Sequence, residues 1–308
     1  MTGADGFVGR HLVRRLAGEG YRIGAACRPG GRSVDWENAD VTPIPLELTD
    51  DASVRGVVEY GPDAVVHLAA VASNREASAD PGRAWTVNAA GTARLAEALA
   101  RRRQEGRGDA RLLLVSSGEV YGRGPAAPRR ESDPVAPASP YAASKAGAEL
   151  AAMEVWRRTG LPVVIARPFT HTGPGQETRF VLPAFVERLR EAKATGARRV
   201  RSGNLDPIRD LLDVRDVVEA YLLLLRSGQP GEVYNVARGE GYSVRDLFER
   251  LAMLVGVRVE PEVEPSLARA SDLPHLVGDS AKLRRATGWA PSRSLEQTLR
   301  GLVDAEAH

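Results

Sequence analysis

Along the first half of the chain, short apolar runs alternate with stretches whose apolar positions recur at helical spacing. Phe7–Gly18 has that helical spacing, Tyr21–Cys27 reads as a strand, and Ala52–Glu59 returns to helix. Ala64–Ala70 is an apolar strand, Trp85–Arg103 a long helix, and Leu112–Ser116 a strand. Tyr141–Thr159 then reads as a helix and Pro162–Arg167 as a strand. Such alternation predicts an α/β fold, a parallel sheet with helices on both faces. Beyond Pro168 the pattern loosens: Phe180–Lys193, Val214–Leu225 and Val244–Val255 look helical, and Glu232–Val236 looks like a short strand. The expected division is a sheet domain of residues 1–168 with returning segments around 208–238. A smaller interleaved lobe of 169–207 and 239–308 completes it. No internal repeat or low-complexity segment interrupts the pattern.

Composition narrows the class. A chain of 308 residues with 43% hydrophobic and 27% charged positions can bury a sizeable core. Its net charge of +2 argues against nucleic acid as the main partner. Cys27, the sole cysteine, permits neither an internal disulfide nor a cysteine-based metal cluster and fits a reducing, cytoplasmic setting. The apolar runs are too short for a membrane span, and no basic-then-apolar leader is expected at the start. His11, His275 and His308 show no ligand spacing, so no metal site is expected. Lysine occurs only at Lys145, Lys193 and Lys282, against a basic complement otherwise made of arginine.

The opening Thr2-Gly3-Ala4-Asp5-Gly6-Phe7-Val8-Gly9 places glycines at three-residue intervals just before a helix. Glycine allows the tight turn and the close approach of backbone N–H groups to a pyrophosphate at a helix N-terminus. The spacing is G-x-x-G-x-x-G rather than the commoner G-x-G-x-x-G, so alone it is equally compatible with a glycine-rich turn. A Rossmann phosphate loop follows a central strand, yet only Met1 and Thr2 precede Gly3. The expectation is that the natural start lies upstream. After the predicted strand Tyr21–Cys27, Arg28 stands where an acid would bind a ribose 2′-hydroxyl. With Arg32 nearby, it favours the 2′-phosphate of NADP over NAD.

Tyr141-Ala142-Ala143-Ser144-Lys145 opens a predicted helix and puts Tyr and Lys one turn apart on one face. A neighbouring ammonium is expected to draw the phenol's pKa down toward the working range. Upstream, Ser117 follows an apolar strand, at the end of the sheet where α/β folds bind ligands. Its hydroxyl can orient a substrate oxygen toward Tyr141. Serine after a strand is also a common turn former.

Together these residues resemble the extended short-chain dehydrogenase/reductase family of NAD-dependent sugar-nucleotide epimerases, dehydratases and reductases. Ser117, Tyr141 and Lys145 match its catalytic triad. Val66-His67-Leu68-Ala69-Ala70 and Asn88-Ala89-Ala90-Gly91-Thr92 are similar to its cofactor segments. Arg209-Asp210-Leu211-Leu212-Asp213-Val214-Arg215-Asp216 looks like its R-D-F/W-x-x-V-x-D segment, and Tyr234-Asn235-Val236 and Gly288-Trp289 also fit.

The resemblance implies a Rossmann-type doubly wound sheet and a cofactor lying on Gly3, Asp5, Gly6, Phe7, Val8 and Gly9. It also implies cofactor contacts with Arg28, Arg32, Glu47, Leu48, Leu68, Ala69 and Ala70. Further along the chain, Asn88, Val115, Ser116, Tyr141, Lys145 and Pro168 are implied to complete that site. Substrate contacts fall to Ser117, Thr170, Phe180, Val181, Arg209, the relatives' diphosphate-gripping arginine, and Arg269. Relatives dimerise through the helices matching Trp85–Arg103 and Tyr141–Thr159, so a homodimer through a four-helix bundle is implied.

Within the family, Arg167-Pro168-Phe169-Thr170-His171-Thr172-Gly173-Pro174-Gly175-Gln176 resembles the R-P-F-N-H-x-G-P-G-Q run of reductases that convert GDP-4-keto-6-deoxy-mannose to GDP-rhamnose. Thr170 replaces the usual Asn of that run. Two other activities remain open: a 4,6-dehydratase, with Glu119 as acid/base, and a 4-epimerase, which needs the same triad. A cofactor-binding protein without turnover is a further alternative. His67 and Cys27 are expected to be core residues.

Overall fold

The computed structural model describes residues 1–31, 36, 40–264, 267 and 273–305. In chain order the first elements are α1 (Phe7–Ala17), β1 (Ile23–Cys27), β2 (Val41–Pro45), α2 (Asp51–Glu59) and β3 (Ala64–His67). There follow α3 (Asn74–Ala79), α4 (Pro81–Trp85), α5 (Gly91–Gln104), β4 (Arg111–Val115), α6 (Pro140–Thr159) and β5 (Val163–Pro168). The remainder comprises β6 (His171–Thr172), α7 (Val181–Thr195), β7 (Arg199–Ser202), β8 (Ile208–Asp210), β9 (Leu212–Asp213) and α8 (Val214–Ser227). The chain ends with β10 (Val233–Val236), β11 (Gly241–Ser243), α9 (Val244–Val255), β12 (Glu260–Val263), β13 (His275–Leu276), α10 (Ala281–Thr287) and α11 (Leu295–Asp304).

The main sheet is parallel throughout. On one side β2 pairs with β1; on the other, β3, β4, β5 and β10 follow one another. Met1–Gly3 lie between β1 and β3 and join the two halves: Thr2 N–H donates to Val66 O at 3.0 Å, and Gly3 N–H to Ala26 O at 2.8 Å. The order is that of a Rossmann-type doubly wound sheet, with ligand chemistry expected along the carboxyl edge shared by every strand.

Alternation along the strands explains why both faces are covered. Val66, Leu113 and Val164 turn to one face, where they pack with Leu12, Val13 and Leu16 of α1 and Val217, Tyr221 and Leu224 of α8. Val65, Leu112, Leu114, Val163 and Ile165 turn to the other, against Val54 and Val58 of α2, Leu95 and Leu99 of α5, and Val155 of α6. A strand buried on both faces reads as a continuous apolar run, as Leu112–Val115 does. A separate apolar cluster joins α7, α9 and α11, with the Phe185 and Phe248 rings edge-to-face at 5.1 Å. No helix among the described residues is long and apolar enough to cross a membrane.

The helix expected over Trp85–Arg103 is divided: α4 gives way to a π-helical segment, Thr86–Ala90, before α5 resumes. Such a segment inserts a wider turn and re-aims side chains, here burying Asn88. The catalytic-helix candidate α6 has clear boundaries: Ser139 caps it by accepting from Ala142 N–H, Pro140 opens it, and Gly160 closes it in the left-handed conformation.

Candidate active site

The glycine loop is built for close approach. Gly3 has φ +68°, and a Cβ there would lie 2.8 Å from Ala69 N; a Cβ on Gly9 would lie 2.2 Å from Gly3 O. Gly6 N-caps α1 without a capping side chain, so the leading N–H groups and the positive end of the helix dipole face the loop. The cradle suits a pyrophosphate. Leu68–Ala70 back it, with Ala69 N–H donating to Thr2 Oγ1 at 3.1 Å. Phe7 stacks on His171 with ring centroids 6.3 Å apart, and Arg10 donates to Gly175 O at 2.8 Å, so the loop is tied to the segment after β6.

Arg28 follows β1 and is exposed. Arg32 and Arg269 lie outside the described residues, as does His308. Glu47 accepts from Thr49 N–H and Oγ1, and Leu48 is buried against Gly91. Asn88 is buried and bonded within the protein. Its carboxamide accepts from Val71 N–H at 2.8 Å and donates to Val71 O and Ser144 Oγ. With both Nδ2 hydrogens and one acceptor position of Oδ1 engaged by protein, that side chain braces the loop after β3 against α6. Ser116 is likewise held, its hydroxyl donating to Glu149 Oε1.

At the carboxyl edge, Ser117 caps a short 3₁₀ turn, Gly118–Tyr121, and its hydroxyl lies within hydrogen-bonding reach of Tyr141. Tyr141 and Lys145 share the inner face of α6. The electrostatics correct the sequence-based expectation. Burial, and next the Glu119 carboxylate, push the Tyr141 phenol above its ordinary value, with Ser117 pulling only modestly the other way. Lys145 does not lower it because its ammonium is turned to the end of β4, donating to Val115 O at 2.6 Å. Burial pulls Lys145 down to about 8, opposed by Glu149. The phenol therefore holds its proton, as a proton donor must.

The substrate candidates lie around this edge. Thr170 is half-buried after Pro168, its carbonyl accepting from Leu212 N–H at 2.9 Å. Phe180 caps α7 beneath the Arg179 guanidinium, and Val181 is exposed. Nη1 of Arg209, the expected diphosphate ligand, donates to Ile208 O and Leu273 O, so that nitrogen is engaged by protein rather than presented to a ligand. Glu119 accepts from Asn74 Nδ2 at 2.7 Å.

With this geometry in place, the comparisons with known proteins decide the family. The family described as GDP-mannose 4,6 dehydratase matches residues 1–302. The chain belongs to it. A relative in that epimerase/dehydratase group, the GDP-6-deoxy-D-mannose reductase of Pseudomonas aeruginosa, is 36% identical, with 98% of this chain and 95% of the relative covered. Among solved structures, RMD from Pseudomonas aeruginosa complexed with NADPH superposes with a TM-score of 0.82 at 34% identity, covering 98% of this chain and 96% of that one. The Thermus thermophilus UDP-glucose 4-epimerase complexed with NAD gives 0.87 at 31% identity, covering 98% and 96%.

Two features of this family member escape sequence reasoning. Asn74, at the start of α3, reaches Glu119 across the cleft. Beneath the triad, Glu149 of α6 and Arg167 of β5 form a buried bidentate ion pair with bonds of 2.9 and 2.7 Å. Arg167 also donates to the Tyr121 hydroxyl at 2.9 Å, which donates in turn to Asn235 Oδ1 at 2.7 Å. The one available signal was spacing: Glu149 follows Lys145 by four residues, on the same face of the helix. His67 is buried as expected, bonded to Thr2 and Thr92.

Proposed function

We propose that this chain is an NAD(P)H-dependent reductase of a nucleotide-activated 4-keto-6-deoxy sugar, converting GDP-4-keto-6-deoxy-mannose to GDP-rhamnose. The observation that carries this reading is 36% identity to a GDP-6-deoxy-D-mannose reductase along nearly the whole chain, with Ser117, Tyr141 and Lys145 all present at the carboxyl edge.

The residues at the cofactor cradle fit a dinucleotide. Gly3 and Gly9 leave the space for its pyrophosphate, the start of α1 faces it, and exposed Arg28 suits a 2′-phosphate, which favours NADPH over NADH. When bound, that cofactor supplies the hydride for sugar C4. Tyr141 gives its proton to the ketone oxygen, which becomes the C4 hydroxyl. Ser117 donates a hydrogen bond to the same oxygen and fixes its direction. Lys145, donating to Val115 O, holds the strand end from which Ser117 projects.

The lobe formed by 169–207 and 239–308 is assigned to the nucleotide sugar, and 1–168 with 208–238 to the cofactor. Thr170, Phe180, Val181, Arg209 and Arg269 are its proposed substrate contacts. A homodimer through the outer faces of α5 and α6 is supported by Leu150, 71% exposed on α6, and by half-exposed Trp85 at the head of the same face. A single half-buried cysteine fits the cytoplasm.

The test supplies freshly made GDP-4-keto-6-deoxy-mannose with NADPH and follows reduced-cofactor absorbance and product identity. Consumption with formation of GDP-rhamnose is expected. Dehydration of GDP-mannose without that consumption would make the chain a dehydratase, and inactivity in both assays would turn attention to 4-epimerisation.

A further inference from the structure

We infer that Glu149 is a positioning residue for the reaction, one that keeps Lys145 charged and fixes the strand end that carries Ser117. The inference rests on the reading of Ser117, Tyr141 and Lys145 as the reacting centre.

The geometry is specific. Glu149 stands one turn beyond Lys145 on α6, and the two residues are equally buried, at 6% exposure. Its carboxylate takes both arms of the Arg167 guanidinium and the hydroxyl of Ser116. Lys145, meanwhile, donates to the carbonyl of Val115. Val115, Ser116 and Ser117 are consecutive. Two adjoining residues of that strand end are therefore gripped from α6, and the next residue presents the hydroxyl proposed to orient the substrate. Arg167 extends the hold to the end of β5, immediately before Pro168, and to Tyr121 on the 3₁₀ turn.

Charge gives the second half of the argument. A buried ammonium loses its hydration and tends to shed its proton; an anion nearby opposes this. The groups facing Lys145 can be named from each element around it. On its own helix are Tyr141 and Glu149. From β3 comes His67, which burial and next the Lys145 charge itself hold neutral, down to about 3. From β5, Arg167 holds the Glu149 carboxylate, and Tyr121 of the 3₁₀ turn is bonded to Arg167. Glu149 opposes the loss of the Lys145 proton, while Arg167 moderates how much of its charge Lys145 feels. The pair is therefore more than a fold-stabilising ion pair: removing the carboxylate leaves the buried guanidinium unpaired and the buried ammonium without the anion that opposes its deprotonation.

The chain's three lysines make a direct test practical. The protein is labelled with ¹³Cε-lysine and titrated by NMR, with Lys193 and Lys282 as internal controls. In Glu149→Gln the Lys145 midpoint is expected to fall by about one pH unit or more, while the controls stay in place. Glu149→Asp, which keeps the charge, is expected to retain the wild-type midpoint more closely. In Glu149→Gln combined with Arg167→Met, the midpoint should lie between wild type and the single variant. Should the single variant not fold, the double variant carries the test, its midpoint still falling below wild type. An unchanged Lys145 midpoint in folded protein lacking Glu149 overturns the inference. In turnover, the alkaline limb of the kcat profile should move with the Lys145 midpoint. If the keto sugar is not a substrate, the NMR titration still decides the role of Glu149, so the two failures are distinguishable.

Discussion

Asn74 holds Glu119 across the mouth of the cleft, its Nδ2 donating to Oε2 at 2.7 Å. The contact bears on which reaction the site runs. A dehydratase moves protons at sugar C5 and C6 and needs a carboxyl free to exchange them; a reductase needs only the tyrosine proton and a hydride. A carboxylate engaged by a carboxamide is poorly placed for the first task. Glu119→Gln is therefore expected to retain reduction within about tenfold of wild type, whereas Tyr141→Phe should lower kcat by roughly 10²–10⁴ with NADPH binding preserved. Steady-state kinetics on the keto sugar and a fluorescence titration of NADPH measure both. A collapse of turnover in Glu119→Gln comparable to that in Tyr141→Phe would restore Glu119 as an acid/base group.

The α/β alternation was legible where main-sheet strands are apolar runs between turn signals, and the ends of the strands so predicted shifted by at most three residues in the structure. The strand β2, Val41–Pro45, was missed because its side chains are mostly exposed or half-buried. Ser117, Tyr141 and Lys145 were legible because their residue types and local spacing carry the chemistry. What stayed hidden depends on direction or on distance in the chain. Spacing places Lys145 one turn from Tyr141, but it does not say that the ammonium turns to Val115. The π-helical segment around Asn88 adds a residue to a turn without breaking the apolar pattern. Arg167 lies 18 residues from Glu149 and on another element, so only the fold brings them together.

The glycine loop separates into positions where a side chain would clash outright and one where it would be only tight. At Gly9 a methyl group would sit 2.2 Å from Gly3 O and 2.6 Å from Ala4 O, both backbone atoms that cannot swing away. At Gly6 the nearest atom is Gly3 O at 3.2 Å, a tight contact that a backbone shift of a few tenths of an ångström would relieve. Gly9→Ala should distort the cradle and weaken NADPH binding by tenfold or more, roughly the loss of one charge-assisted hydrogen bond. Gly6→Ala should bind nearly as wild type. Fluorescence titration of NADPH against both variants checks this, and equal losses at the two positions would contradict the steric account.

Exposed Arg28 follows the end of β1, where the adenosine ribose of a dinucleotide lies in this fold. A guanidinium pairs with a 2′-phosphate and offers nothing comparable to a 2′-hydroxyl, whereas a carboxylate does the reverse. Arg28→Asp should weaken NADPH binding by roughly tenfold or more and move the preference toward NADH. The ratio of kcat/KM for the two cofactors is the measurement. An unchanged ratio removes Arg28 from the phosphate site.

His67 links the sheet to acid stability. It is 2% exposed, its imidazole bonded to Thr2 Oγ1 at 2.7 Å and Thr92 Oγ1 at 3.1 Å. Burial, and next the Lys145 charge, lower its pKa from 6.5 to about 3. Between those values the unfolded chain binds a proton that the folded chain excludes, so stability rises with pH through that window and is complete above it. Acidifying from pH 7.5 to 5.5 should therefore cost about 1.4 kcal/mol from this residue and lower Tm by a few degrees. Asp210 acts in the opposite sense. Burial pushes its carboxyl up to about 6 against the pull of three backbone N–H groups, so the folded state binds its proton first on acidification. Comparing His67→Gln with wild type at both pH values cancels that contribution. The variant should start less stable and lose less on acidification. If its Tm falls as far as wild type between the two pH values, the acid sensitivity belongs to other groups.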